Sequence, residues 1–246
     1  MLKLMKYEFR KTAFSKLILL SITFLFEIVY LLGIFLKKDS FISTGITFLT
    51  LCAIMGILYI GLESVTILHR DLNTKQSYML FLTPKNSYQI LGAKILENGI
   101  SILLTGVFFT ALAAIDIAVA YFWVDELKEI WDLVQNVLYV NMKLSVEPDV
   151  IVFFFFTALS GWITYIVNAD LAVILSASVL AGKKASGLVS FVIFILLSTL
   201  VGMGLDRLPS LYTPELTYAL YIGASLVISA LLYLAGGWIM EKKLSV

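Results

Sequence analysis

Residues Leu17–Leu36, LILLSITFLFEIVYLLGIFL, carry a single charged side chain, Glu27. A hydrocarbon core about 30 Å thick takes roughly 20 apolar residues of helix to cross, and this run supplies them without interruption. Five further runs meet the same requirement: 41–68, 95–120, 150–180, 186–204 and 216–240. Each is continuous rather than alternating apolar and polar, which selects helices over the strands of an outer-membrane barrel. The sequence therefore predicts an all-α polytopic membrane protein, one transmembrane domain of six helices. Composition agrees. Of 246 residues, 60% are hydrophobic and 14% charged, against about 45–50% and 25% in soluble domains. The net charge of +1 offers no footprint for nucleic acid. A single cysteine, Cys52, and a single histidine, His69, leave no disulfide framework and little room for zinc or triad chemistry. No metal site and no catalytic residue is expected.

A cleaved signal peptide fits the first run poorly. The run is long for a signal, contains Glu27, and ends in Lys37 and Lys38 without a small-residue cleavage pattern. Orientation follows from the placement of bases in short loops. With the amino terminus inside, 13 of the 18 Lys and Arg residues fall on the cytosolic side and 5 outside: Lys37, Lys38, Lys128, Lys143 and Arg207. Both termini are then cytosolic, and the protein is placed in the plasma membrane.

The connections carry more than tethers need. Residues 1–16 interleave Leu2, Met5, Phe9 and Ala13 with Lys3, Lys6, Arg10 and Lys11, the pattern of a helix lying along the inner membrane surface. Residues 69–94, HRDLNTKQSYMLFLTPKNSYQILGAK, mix charges with Leu72, Tyr78, Leu80, Phe81, Leu82, Tyr88, Ile90 and Leu91, which predicts short helices packed on a protein or on lipid. Pro84 can open a helix, and Asn86 and Ser87 supply capping groups. The outer connection, 121–149, sets Leu127, Ile130, Trp131, Val134, Val137 and Leu138 at helical spacing opposite Asp125, Glu126, Glu129 and Asp132 and reads as an amphipathic segment, too charged to cross. Phe153–Phe156 and Trp162 read as interfacial anchors, and Gly56 and Gly61, or Gly202 and Gly204, as points of close helix contact.

An energy source is missing from the chain. A P-loop needs GxxxxGK[ST] so that backbone amides can surround phosphates. The nearest candidate, Gly182 and Lys183 in LAGKKASG, has Ala177, just upstream, where the first glycine should be and Lys184 in place of Ser or Thr. It reads as a positively charged inner turn. Five acids fall inside the spans: Glu27, Glu63, Glu97, Asp116 and Asp170. Ionisable groups in lipid are costly and usually face a bundle interior or a wet path. Glu27 lies about 15 Å from each end of its span, near the midplane. Glu63 and Glu97 lie near cytosolic ends, and Asp116 near the outer end. Glu27, Glu63, Glu97 and Asp170 are the candidate substrate-pathway acids, presenting negative charge to a cationic or amphipathic cargo. The alternative is that each pairs with a hydroxyl, a base, or an amide such as Asn98 or Asn168, and only fixes packing.

The ordered features resemble the permease subunits of ABC-2 type exporters over nearly the whole chain. The likeness rests on the basic amphipathic segment KLMKYEFRK, on six spans with both ends inside, and on HRDLNTKQSYMLFLTPKNSYQILGAKIL. In that family a segment of the form (R)(E/D)…LLxxTPxS…ILxxK follows the second span; here Arg70, Asp71, Leu80, Leu82, Thr83, Pro84, Ser87, Ile90, Leu91 and Lys94 stand in the matching places. The long outer segment 121–149 departs from the pattern. The resemblance implies two permease subunits, identical or similar, joined to two cytosolic ABC ATPases that hold ATP and Mg, so that this chain binds no cofactor and is not itself an enzyme. It implies that Arg70, Asp71, Leu72, Tyr78, Leu80, Leu82, Thr83, Pro84, Lys85 and Tyr88 belong to a cytosolic coupling helix gripped by the ATPase. It also implies that residues 1–16 form an interfacial connecting helix.

For cargo, small permeases of this kind resemble exporters of antimicrobial or toxin peptides, with membrane lipid and an amphipathic substrate as partners. Drug or lipid export is the neighbouring alternative. A secondary transporter, in which the acids carry ions or protons, is the alternative of another class. It would be favoured by internal repeats, and no convincing repeat relates the two halves.

Overall fold

The computed structural model describes residues 2–73, 86–123, 148–180, 185–209, 211 and 213–244. Every regular element among them is helical: α1 (Leu2–Phe35), α2 (Asp39–Asn73), α3 (Ser87–Trp123), α4 (Pro148–Leu180), α5 (Ser186–Asp206) and α6 (Pro214–Ile239), the last running into a π-helical turn, Met240–Leu244. Six of these helices are long and apolar enough to cross a membrane, which makes the chain a multi-pass membrane protein by composition and length.

Local chemistry sets the helix ends. Asn86 caps α3, its side-chain oxygen accepting from Tyr88 N at 3.3 Å and its carbonyl from Gln89 N at 2.9 Å, so of the two capping groups expected from sequence Asn86 is used. Thr213 does the same for α6, accepting from Leu216 N, with Pro214 in the first turn where a missing N–H costs nothing. At the end of α1, Lys38 N donates to Gly33 O and Lys37 N to Ile34 O, at 3.0 and 3.2 Å. That pair of bonds is a Schellman closure. Lys37 occupies its left-handed position, at φ 50°, where glycine is usual.

Three helices differ from their sequence-based boundaries. The expected break between an interfacial helix over 1–16 and a span from 17 is absent, and α1 runs 34 residues without interruption. Nothing over Lys11–Lys16 breaks a helix: there is no Pro or Gly, and the Lys16 ammonium bonds the Thr12 hydroxyl one turn back at 2.8 Å. The helix α2 continues to Asn73 and α3 begins at Ser87, so both ends of the 69–94 connection are helical. Residues 74–85 and 124–147, with most of the expected coupling and outer amphipathic segments, lie outside the described residues.

The helices distribute between two compact units. The first contains the described residues of 2–8, 61–99 and 148–244. Within it α4 packs against α5, α6 and the π-helical turn, and its apolar window is far more buried than that of any other span. Its apolar core joins Leu68, Leu72, Leu91, Val173, Ile174 and Met240. Hydroxyls bind α4 to α6: Thr164 Oγ1 lies 2.9 Å from Ser229 Oγ and 3.2 Å from Ser225 O. Asn168 Nδ2 binds α4 to α5 through Ser198 Oγ at 2.8 Å. The second unit contains the described residues of 9–60 and 100–123. Its core gathers Tyr30, Ile34, Leu49 and Ala120.

Beside these apolar cores, each unit exposes large apolar side chains and buries polar ones. Leu17, Phe24, Leu62, Leu104, Phe191, Leu200 and Leu231 point outward, whereas Glu27, Asp71, Lys94, Glu97, Asn98, Asn168 and Asp170 are buried. Where the surroundings are as apolar as leucine, helices gain little by hiding leucine and gain more by joining polar groups and small residues.

Candidate functional site

The first unit holds a buried ion cluster. Lys94, in the second turn of α3, places Nζ 2.8 Å from Asp71 Oδ2 in the last turn of α2 and 3.0 Å from Glu8 Oε2 near the start of α1. All three side chains are at least nine-tenths buried. Burying such charges is expensive, and excellent geometry is what offsets the cost. The cluster thus ties together three segments remote in sequence, two of which flank residues 74–85.

The same unit holds other polar groups. Asp170, on α4, is 1% exposed, and neither carboxyl oxygen has a hydrogen-bond partner; the charge acting on it most strongly is that of Lys94. His69 Nε2 lies 3.1 Å from Ser186 Oγ, and Ser176 Oγ donates to Ser186 O at 2.6 Å. Trp162 Nε1 donates to Asn98 Oδ1 at 3.4 Å while its ring presses on Gly61. Tyr88 lies with its ring against Gly237, and its carbonyl accepts from the Tyr233 hydroxyl at 2.7 Å. Any side chain at Gly61 or Gly237 would overlap the facing ring, so close approach explains both glycines.

Of the residues expected to couple to an ATPase, Arg70 is exposed, Asp71 belongs to the ion cluster, Leu72 belongs to the apolar core, and Tyr88 is half-buried against α6. Tyr78, Leu80, Leu82, Thr83, Pro84 and Lys85 lie outside the described residues. Of the pathway acids, Glu63, Glu97 and Asp170 belong to the first unit and Glu27 to the second. Glu27 is buried and faces Asp116, the two carboxyls near enough to hydrogen-bond when one carries a proton. Asn168, a possible partner for an acid, gives its amide to Ser198 instead.

Glu8 was not singled out by sequence reasoning, and Lys94 was seen only as the end of a motif. The available signal was weak: one acid within a basic amino-terminal run, and one base at the edge of a span. Among the described residues no group of three or more His, Cys, Asp or Glu side chains could hold a metal ion. No family model, curated protein or solved structure matches this chain.

Proposed function

We propose that this chain is the membrane-spanning permease subunit of an ATP-driven exporter of the ABC-2 type. In this reading it pairs with a second permease and with cytosolic ATPases that bind ATP and Mg. Its cargo is an amphipathic compound, with antimicrobial or toxin peptides the preferred class and drugs or lipids the neighbouring one. The sequence likeness supplies the family. The observation that carries the mechanism is the Glu8–Lys94–Asp71 cluster, because it fastens both helices bordering residues 74–85 to the start of α1. A push on that connection would reach α1, α2 and α3 together instead of being lost in a slack loop. In this reading both termini are cytosolic, and the exposed Arg70 belongs to the surface that meets the ATPase.

The test is purification of the full chain from native membranes. An ABC ATPase recovered in equimolar amount, with ATP hydrolysis altered by charged substitutions over Tyr78–Tyr88, is the expected result. Labelling of Lys75–Ser87 from outside the cell would refute it. A second reading, an ion- or proton-coupled carrier, draws on the unbonded carboxyl of Asp170. Transport by the purified chain alone, driven by an ion gradient, would establish that reading in place of the first.

A further inference from the structure

We infer that the second unit contains a binding site for a protonated amine carried on an apolar body. A cavity of about 610 Å³ lies between α1, α2 and α3, a size that suits a drug-sized ligand. Its walls are mostly aliphatic and aromatic, with Tyr30 and Phe109 among them, and the charged residues lining it are Asp39 and Asp116. No basic side chain lines it among the described residues. The nearest bases in sequence are Lys37, exposed at the turn, and Lys38, whose ammonium lies 5.7 Å from the Phe41 ring centroid.

One unmet acceptor on the cavity wall selects the ligand, and a second carboxyl behind it adds negative charge. Asp116 Oδ1 and Glu27 Oε2 are both buried and have no hydrogen-bond partner, and Glu27, more than nine-tenths buried, faces Asp116 from α1. Nearby, the Tyr30 hydroxyl donates to the Asp116 carbonyl at 3.1 Å, which fixes this part of α3 against α1. A buried acceptor without a donor costs free energy. An ammonium seated against Asp116 supplies the missing donor and a positive charge, while the apolar walls take its body. A quaternary ammonium has the charge but no donor, and a neutral amide has a donor but no charge.

This site deepens the transport reading, whose pathway acids include Glu27, but binding requires neither nucleotide nor ATPase, so the two are tested separately. The experiment uses the purified full chain in lipid nanodiscs and titrates dansylcadaverine, a primary amine on a fluorescent aryl body, beside its N-acetyl derivative. The expected result is saturable binding of the amine, with the acetylated probe weaker by roughly 10- to 100-fold, the worth of one charge-assisted hydrogen bond. Asp116→Asn should weaken the amine by a similar factor and leave the acetylated probe unchanged. Ile46→Trp, at a lining position that also faces outward, should obstruct both probes while thermal unfolding stays at the wild-type midpoint. Equal affinity for the two probes would overturn the proposal. So would an unchanged amine affinity in Asp116→Asn, or displacement of the amine by millimolar sodium as effectively as by a competing alkylamine, which would make the site one for a bare cation.

Discussion

Lys94 Nζ and Asp71 Oδ2 lie 2.8 Å apart in a buried environment, joining the start of α3 to the end of α2. Removing the base breaks two ion pairs at once, whereas removing one acid leaves Lys94 with Glu8 at 3.0 Å. Lys94→Met is therefore expected to cost about 3–5 kcal/mol, the range for breaking a buried pair, and Asp71→Asn distinctly less. Thermal unfolding of the detergent-solubilised chain measures both. Equal losses, or a larger loss for Asp71→Asn, would contradict the shared role of the lysine.

The Tyr88 ring occupies the space a Gly237 side chain would need. Gly237→Leu should destabilise the first unit, and adding Tyr88→Ala should recover part of the loss. A double-mutant cycle is expected to give a coupling of about 1 kcal/mol or more. Strict additivity would mean that ring and glycine do not meet.

At the α1–α2 turn, Lys37 pays a left-handed conformation that glycine adopts freely. Lys37→Gly is expected to stabilise by about 1 kcal/mol, and Lys37→Val to destabilise, because a β-branched side chain suits positive φ least. Unfolding midpoints of the two variants should bracket that of the wild type.

Asp170 is fully enclosed yet receives no hydrogen bond. A leucine of similar size avoids the cost of burying a carboxyl, and Lys94 keeps Glu8 and Asp71 as partners without it. Asp170→Leu should thus leave the unfolding midpoint unchanged or higher, while transport falls if the group serves the cargo or a coupled ion. A fall in stability of more than about 2 kcal/mol would identify it as a structural group instead.

The six spans could be read from the sequence because each is a long apolar run and the bilayer imposes its own length. Helix continuity through Lys16 was harder to see, since a basic amphipathic segment looks the same whether it bends onto the membrane surface or extends the span. The burial of Asp71 and Leu72 was hidden for a different reason. Both stand in a polar stretch whose likeness to a coupling motif suggested exposure, and only the approach of α3 and α4 encloses them. Glu8 and Lys94 are 86 positions apart, as are Tyr30 and Asp116, and no local pattern pairs residues at that distance. Asp116 was placed near a span end and passed over; its meeting with Glu27 depends on how α1 and α3 pack.

The outward leucines and phenylalanines and the inward serines, threonines and acids give this molecule two surfaces of opposite character. Stripped of detergent or lipid, its exterior would resemble the severed core of a soluble protein, and copies would adhere through it while each kept its hydroxyl-joined helices. Loss of solubility and loss of structure should accordingly be separate events, with precipitation preceding any melting of the helices.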